Sequence, residues 1–206
     1  MKSNLSISLS DVIIHAESIS ITGEQIKRIC NNNVNVILYE ELKNINDISL
    51  LFNKYNAVAI LYQNESKYMG HWCALCYNEL YNIIYFFDPY GYYVDDELAL
   101  TIYDDDVPYL RNLLDKKMNE GTQYICNNEV MQQFNHKNKY RQINTCGRWV
   151  GLRCLMNQLT NIEFNNFFKM HKRINSPDDI TVVMTLIINL QDNQIIEDEN
   201  NDDNNS

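Results

Sequence analysis

GHWCALCYNELYNIIYFFDPYG, residues 70–91, is the stretch on which the reading of the fold turns. Gly70 to Tyr77 is an apolar run that reads as a buried strand beginning at His71 or Trp72. Asn78 to Asn82 turns the chain, and Ile83 to Phe87 is a second run, apolar on both faces, which suits a central strand. That run ends at Asp88-Pro89-Tyr90-Gly91, a turn with a carboxylate at its mouth. Antiparallel pairing of the two runs sets the start of the first beside the end of the second. His71 and Asp88 thereby become neighbours, and an imidazole acquires an acid that can orient it.

Working outward, Ser20 to Ile29 reads as a short helix, with Ser20 or Thr22 as its cap and Glu24 or Gln25 in its first turn. Val34 to Tyr39 is β-branched and reads as a strand. In Glu40 to Tyr55 the apolar residues Leu42, Ile45, Ile48, Leu51, Phe52 and Tyr55 recur at helical spacing, which predicts an amphipathic helix broken near Asn46. Ala57 to Tyr62 is a further strand, followed by a polar turn from Gln63 to Lys67. On the other side, Tyr92 to Val107 is acidic and irregular, and Pro108 opens a helix over 108–118. Gln123 to Gln133 reads as a strand, followed by a polar loop to Thr145 and a helix from Cys146 to about Leu159. Glu163 to His171 is a short amphipathic piece. The apolar run Thr181 to Leu190 fits a strand or a helix, and Ser176-Pro177-Asp178-Asp179 ahead of it favours a helix. The fold class is α+β, a mixed central sheet flanked by helices. Residues 1–190 form a single domain, and 191–206 an acidic tail expected to be disordered.

The chain has 206 residues, of which 45% are hydrophobic, enough for one compact core. It contains no apolar run of about 18 residues, so no membrane span is expected, and Met1 to Ser10 lacks the apolar stretch of a secretory signal. The net charge is −10, which argues against nucleic-acid binding, since that leaves a basic footprint. Asp192, Glu197, Asp198, Glu199, Asp202 and Asp203 crowd the tail. Of the six cysteines, most sit in apolar runs and read as reduced thiols of a cytosolic protein.

Cys146 carries the chemistry. Gln142 to Thr145 ahead of it is polar, and Trp149, Val150, Leu152, Leu155 and Met156 behind it mark a buried helix. A thiol at a helix N-terminus meets unpaired N–H groups and the positive end of the helix dipole, both of which favour the nucleophilic thiolate. His71 can take the thiol proton and Asp88 can hold the imidazole in its working tautomer. The set suits acyl transfer at a peptide or isopeptide bond, with the Cys146 N–H and the side-chain amide of Gln132, Gln133 or Gln142 stabilising an oxyanion. His136 is the rival base, while His15 and His171 read as surface residues.

Gly70-His71-Trp72, Phe87-Asp88-Pro89-Tyr90-Gly91 and Thr145-Cys146-Gly147-Arg148-Trp149 together resemble the adenovirus-type (adenain-like, clan CE) cysteine endopeptidases. These are related to the ubiquitin-like-protein-specific proteases, and the pattern is most similar to the maturation proteases of virophages, Maverick/Polinton elements and large DNA viruses. The layout extends from about Ser20 to Leu159. The resemblance implies that His71 is the base, Asp88 the orienting acid and Cys146 the nucleophile. It places Trp72 beside a substrate channel that admits small residues such as glycine. It implies a fold with the nucleophile at a helix N-terminus, and an oxyanion glutamine a few residues before the cysteine. Gln142 stands close to Cys146, whereas Gln132 or Gln133, after Val130-Met131, fits the family's strand-then-glutamine order but needs a longer loop.

The function this suggests is maturation of viral capsid or core precursor proteins, in the virion and the host cell cytoplasm. It would be carried out by a monomer without cofactor, membrane or nucleic-acid partner. The alternatives are a protease that removes ubiquitin or a ubiquitin-like modifier, and an inactive protease-like structural protein. Cys73-Ala74-Leu75-Cys76 has the spacing of a zinc pair, but residues three apart on a strand face opposite sides, so no metal is expected there. Arg148 and Arg153 read as partners of structural salt bridges, and Asp104-Asp105-Asp106 as a solvated loop.

Overall fold

A computed structural model describes residues 8–66, 69–103, 107–133, 143–170 and 176–189. Five strands form one mixed sheet: β1 (Asn35–Leu38), β2 (Ala57–Ser66), β3 (Met69–Asn78), β4 (Ile83–Phe87) and β5 (Gln123–Cys126), in the order β1-β2-β3-β4-β5. β1 runs parallel to β2 and β5 parallel to β4, and the two inner pairings are antiparallel. The helices are α1 (Leu9–Glu17), α2 (Gly23–Ile29), α3 (Tyr109–Asn119), α4 (Cys146–Leu155) and α5 (Asn161–Met170), with α6 over 177–189. The fold is therefore α+β. The last apolar run is a helix, as the Ser-Pro-Asp-Asp lead-in predicts.

The sheet is buried on both faces, because its strands alternate two apolar sets. Ala57, Ala59, Leu61, Trp72, Ala74, Cys76, Tyr85 and Phe87 point to one side, where α2, α4 and α5 pack on them. Val58, Ile60, Tyr62, Cys73, Leu75, Ile84 and Phe86 point to the other, against α3 and two short 3-10 segments. Cys73 and Cys76 thus lie on opposite faces. All six cysteines are free thiols. Among the described residues no helix is long and apolar enough to cross a membrane.

α4 is buried along its whole length from Cys146 to Cys154. Trp149 stacks edge-on to Phe168 with ring centroids 4.6 Å apart, and Phe164 bridges it to Phe87 of β4. Arg148 and Arg153 make no salt bridge among the described residues. Instead the Arg153 guanidinium donates to the carbonyls of Met156 and Leu159 and to Asn161, holding the turn between α4 and α5. Arg148 donates to Thr185 of α6 and to the carbonyl of Ala16 at the end of α1.

Several expectations need correcting. Glu40 to Tyr55 does break near Asn46 as expected, but into two 3-10 segments, Tyr39–Asn44 and Ile48–Phe52, rather than pieces of α-helix. Glu41 caps the first by accepting from the Leu38 N–H, and Asp47 restarts the second through Ser49. β2 continues through the expected turn to Ser66, past a register shift after Gln63. The strand expected over Gln123 to Gln133 stops at Cys126. There the Asn127 amide donates to the carbonyls of Asp88 and Glu129, so the chain leaves the sheet. α1, held by a Ser8–Asp11 capping box, has no counterpart in the sequence reading. Gln142, His136, His171, Asp104-Asp105-Asp106 and the tail 191–206 lie outside the described residues.

Arg153 is fully buried, and its removal leaves both a cavity and unpaired carbonyls. Arg153→Ala is expected to cost about 3 kcal/mol or more of stability, measured as a lower urea midpoint at unchanged slope.

Candidate active site

The β3–β4 register pairs Ala74 with Phe87, so Asp88, the first residue after β4, falls beside Cys73 and within reach of His71, two positions along on the same side of β3. His71 Nε2 lies 3.0 Å from Asp88 Oδ2, and the Cys73 thiol donates to the same oxygen at 3.2 Å. Asp88 Oδ1 accepts the Tyr90 N–H at 2.6 Å, an Asx turn, and the Gly91 N–H donates to the Asp88 carbonyl. Asp88 thus closes the turn and faces the imidazole at once. Gly91 takes φ +77°, and an added Cβ would stand 2.9 Å from the Glu129 backbone, so only glycine fits this corner. Gly70 is held as tightly: a Cβ there would fall 1.9 Å from the Tyr62 carbonyl oxygen.

Cys146 approaches from α4, which packs on the opposite face, and meets the imidazole where β3 begins and β4 ends. The thiol comes close enough to the His71 ring to help raise the pKa of the imidazole. Since Nε2 is engaged with Asp88, Nδ1 is left for the sulfur. Burial disfavours charge on the imidazole, but the Asp88 carboxylate and Cys73 outweigh it and raise the His71 pKa well above its ordinary 6.5. Tyr90 stacks on the imidazole with centroids 4.8 Å apart. The site is nearly closed to solvent: Cys146 is 9% exposed and His71 7%.

Two residues anchor the lead-in to Cys146. The Thr145 side chain caps no N–H of α4. Its hydroxyl donates instead to Asp178 at 2.6 Å. Asp178 also accepts from Trp149 Nε1 and from the Gln133 N–H. Asn144 is pinned to the end of α1, donating from its backbone to Glu17 and from its side chain to the Ser18 carbonyl.

The structure separates the candidate glutamines. Gln132 is buried, and its amide donates to the Tyr90 hydroxyl and to the carbonyl of Ile143, three residues before Cys146. Gln133 is exposed. Neither is on a strand. Trp72 is 6% exposed and packs between Gly23 of α2 and Gly147 of α4, an added Cβ at Gly147 lying 3.1 Å from its ring. His15 is on the surface, as expected.

One residue at the site was missed. Glu97 sits in a 3-10 segment, Asp96–Leu100, inside the stretch read as irregular. Its Oε1 lies 3.6 Å from His71 Nε2. Asp95 positions the segment by accepting from Tyr62 of β2 and from the Arg111 N–H of α3. Val94 and Leu98, apolar at helical spacing around Asp95-Asp96-Glu97, are the signal that could have marked it. Burial, opposed by His71 and reinforced by Asp88, pushes the Glu97 pKa up to about 7.

No family model matches the sequence. The chain is 28% identical over 179 residues to the uncharacterized protein V9 of Sputnik virophage, an alignment covering 82% of this chain and 96% of V9. Among solved structures it is similar to the ASFV pS273R protease in its selenomethionine form, with 10% identity and a TM-score of 0.47 over 82% of this chain and 67% of that one. A second structure of the same protease has 9% identity and a TM-score of 0.42, over 82% of this chain and 68% of that one.

With a folded pKa of about 7 against 4.5 for a free side chain, Glu97 binds more protons in the fold than in the unfolded chain between those values. Its contribution to stability is full below pH 4.5 and is lost as pH rises through 7. Glu97→Gln is therefore expected to melt higher than the native chain at pH 8, by about 2 kcal/mol in stability, with the gap closing toward pH 4. Thermal melts across that range check it.

Proposed function

We propose that this protein is a cysteine endopeptidase in which Cys146 is the nucleophile, His71 the general base and Asp88 the residue that orients it. The observation that carries the reading is the buried 3.0 Å contact of Asp88 Oδ2 with His71 Nε2, beside which α4 begins with the buried Cys146 thiol. An imidazole whose pKa is held well above its usual value is a strong base for the thiol proton. The thiolate attacks the carbonyl carbon, forming an S–C bond. As the tetrahedral intermediate collapses, the C–N bond breaks and the imidazolium hands its proton to the leaving amine. Water, deprotonated by His71, then hydrolyses the thioester. Gln132 and the Cys146 N–H hold the developing oxyanion. The Gln132 amide spends its donors on Tyr90 and Ile143 at rest, and releasing the Tyr90 hydroxyl frees one of them toward the substrate.

The substrate class proposed is a viral capsid or core precursor cut next to small residues. Its support is the joint Gly-His-Trp, Asp-Pro-Tyr-Gly and Thr-Cys-Gly-Arg-Trp pattern together with the virophage relative, which aligns over nearly its whole length. The purified chain is expected to cleave precursor-derived peptides with glycine at the scissile bond, and Cys146→Ala to cleave none. Equal cleavage by Cys146→Ala would overturn the reading. Gln132→Ala is expected to lower kcat about 100-fold with little change in KM, as loss of an oxyanion donor does. Alkylation of Cys146 by iodoacetamide at pH 6 is expected to be rapid in the native chain and slow in His71→Ala. Slow alkylation in both would favour an inactive scaffold.

A further inference from the structure

We infer that His71, Cys73, Asp88 and Glu97 form a zinc site, and that zinc held there switches the proposed protease off. Among the described residues, His71, Cys73 and Asp88 are the one group of potential metal-ligating side chains gathered tightly enough, their donor atoms all lying within 4.8 Å of one another. The group arises because His71 and Cys73 stand two apart on β3, on the same side, with Asp88 facing them from the end of β4. Cys76, the partner suggested by spacing, points to the opposite face. Glu97 supplies a fourth donor from its 3-10 segment.

The separations are 3.0 Å for His71 Nε2 to Asp88 Oδ2, 3.2 Å for Cys73 Sγ to Asp88 Oδ2 and 3.6 Å for His71 Nε2 to Glu97 Oε1. Zinc with bonds of about 2.0 Å to nitrogen or oxygen and 2.3 Å to sulfur spaces its tetrahedral ligands about 3.3–3.7 Å apart, so His71, Cys73 and Asp88 need only small shifts, while Glu97, outside that tight group, needs a larger one to complete the set. One thiolate, one imidazole and two carboxylates suit zinc. Calcium and magnesium prefer oxygen donors alone. All four residues are at least nine-tenths buried, so inhibition is expected to develop slowly.

On binding, zinc displaces the Nε2 proton of His71, the thiol proton of Cys73 and any proton on Glu97, and these leave to solvent. The imidazole, coordinated through Nε2, keeps its remaining proton on Nδ1. It then has no lone pair to offer the Cys146 thiol, and it is withdrawn from its hydrogen bond with Asp88. This consequence rests on the protease reading, whereas metal binding itself does not.

The test uses the full-length chain carrying Cys146→Ala, which removes both proteolysis and the alternative ligand thiol. Titration with cobalt, then zinc, against a chromophoric chelator is expected to give one site per chain with a thiolate-to-cobalt charge-transfer band. X-ray absorption of the zinc form is expected to show a single sulfur ligand. Adding Cys73→Ser should abolish the band and weaken zinc binding at least about 100-fold, the upper end of what loss of a mere supporting partner costs. Cys76→Ala should change neither. If Cys73→Ser proves unfolded by its melt, Glu97→Gln serves in its place, with zinc affinity reduced. Absence of a site in Cys146→Ala, two or more sulfur ligands, or a band that survives Cys73→Ser would overturn the inference. Because these readings need no cleavage, a protease that fails to cut leaves them intact. Zinc inhibition of cleavage by the native chain, reversed by chelator, tests the switch.

Discussion

The carboxylate of Asp88 is a charged group with no solvent of its own, and most of the local architecture exists to satisfy it. It has 0% exposure, yet it accepts from an imidazole, a thiol and a backbone N–H, while its own carbonyl is held by Asn127 and Gly91. A buried carboxylate without such donors would cost several kcal/mol. The turn at Pro89 to Gly91, the exit of the chain from β5 and the stacking of Tyr90 on His71 all follow from surrounding this one group.

The sheet divides the work. On one face it buries α4 and fixes where the Cys146 thiol begins, and on the other it gathers the polar cluster around His71. Neither face alone holds the three groups. They meet only at the edge between faces, which is why a helix buried nearly all round can still bring its first thiol toward the imidazole. Asp178 and the end of α1 then fix the residues just before Cys146 from two sides.

What was legible in the sequence was whatever depends on local pattern. The 70–91 hairpin could be read because its two apolar runs are separated by a short polar turn, and strand pairing then brings His71 to Asp88 by geometry alone. The thiol at a helix start was legible for the same reason. Glu97 was not, since it comes to His71 only through the Asp95 contacts with β2 and α3, which are tertiary. Glu40 to Tyr55 has a true helical period, yet capping by Glu41 and Asp47 breaks it into 3-10 turns. The choice between Gln132 and Gln133 needed the turn at Asp88, because the Pro89 carbonyl bonds the Gln132 N–H and sets which side chain turns inward.

Asp178 has a further consequence, in the order of synthesis. A chain made from its N-terminus exposes His71, Asp88 and Cys146 before Asp178 exists. Until α6 emerges, Thr145 and the Trp149 indole lack their common acceptor, and the loop bearing Gln133 lacks its tether. The start of α4 is thus fixed last, by a residue downstream of it. A nascent chain carries His71, Asp88 and Cys146 and still lacks the contacts that fix where Cys146 stands.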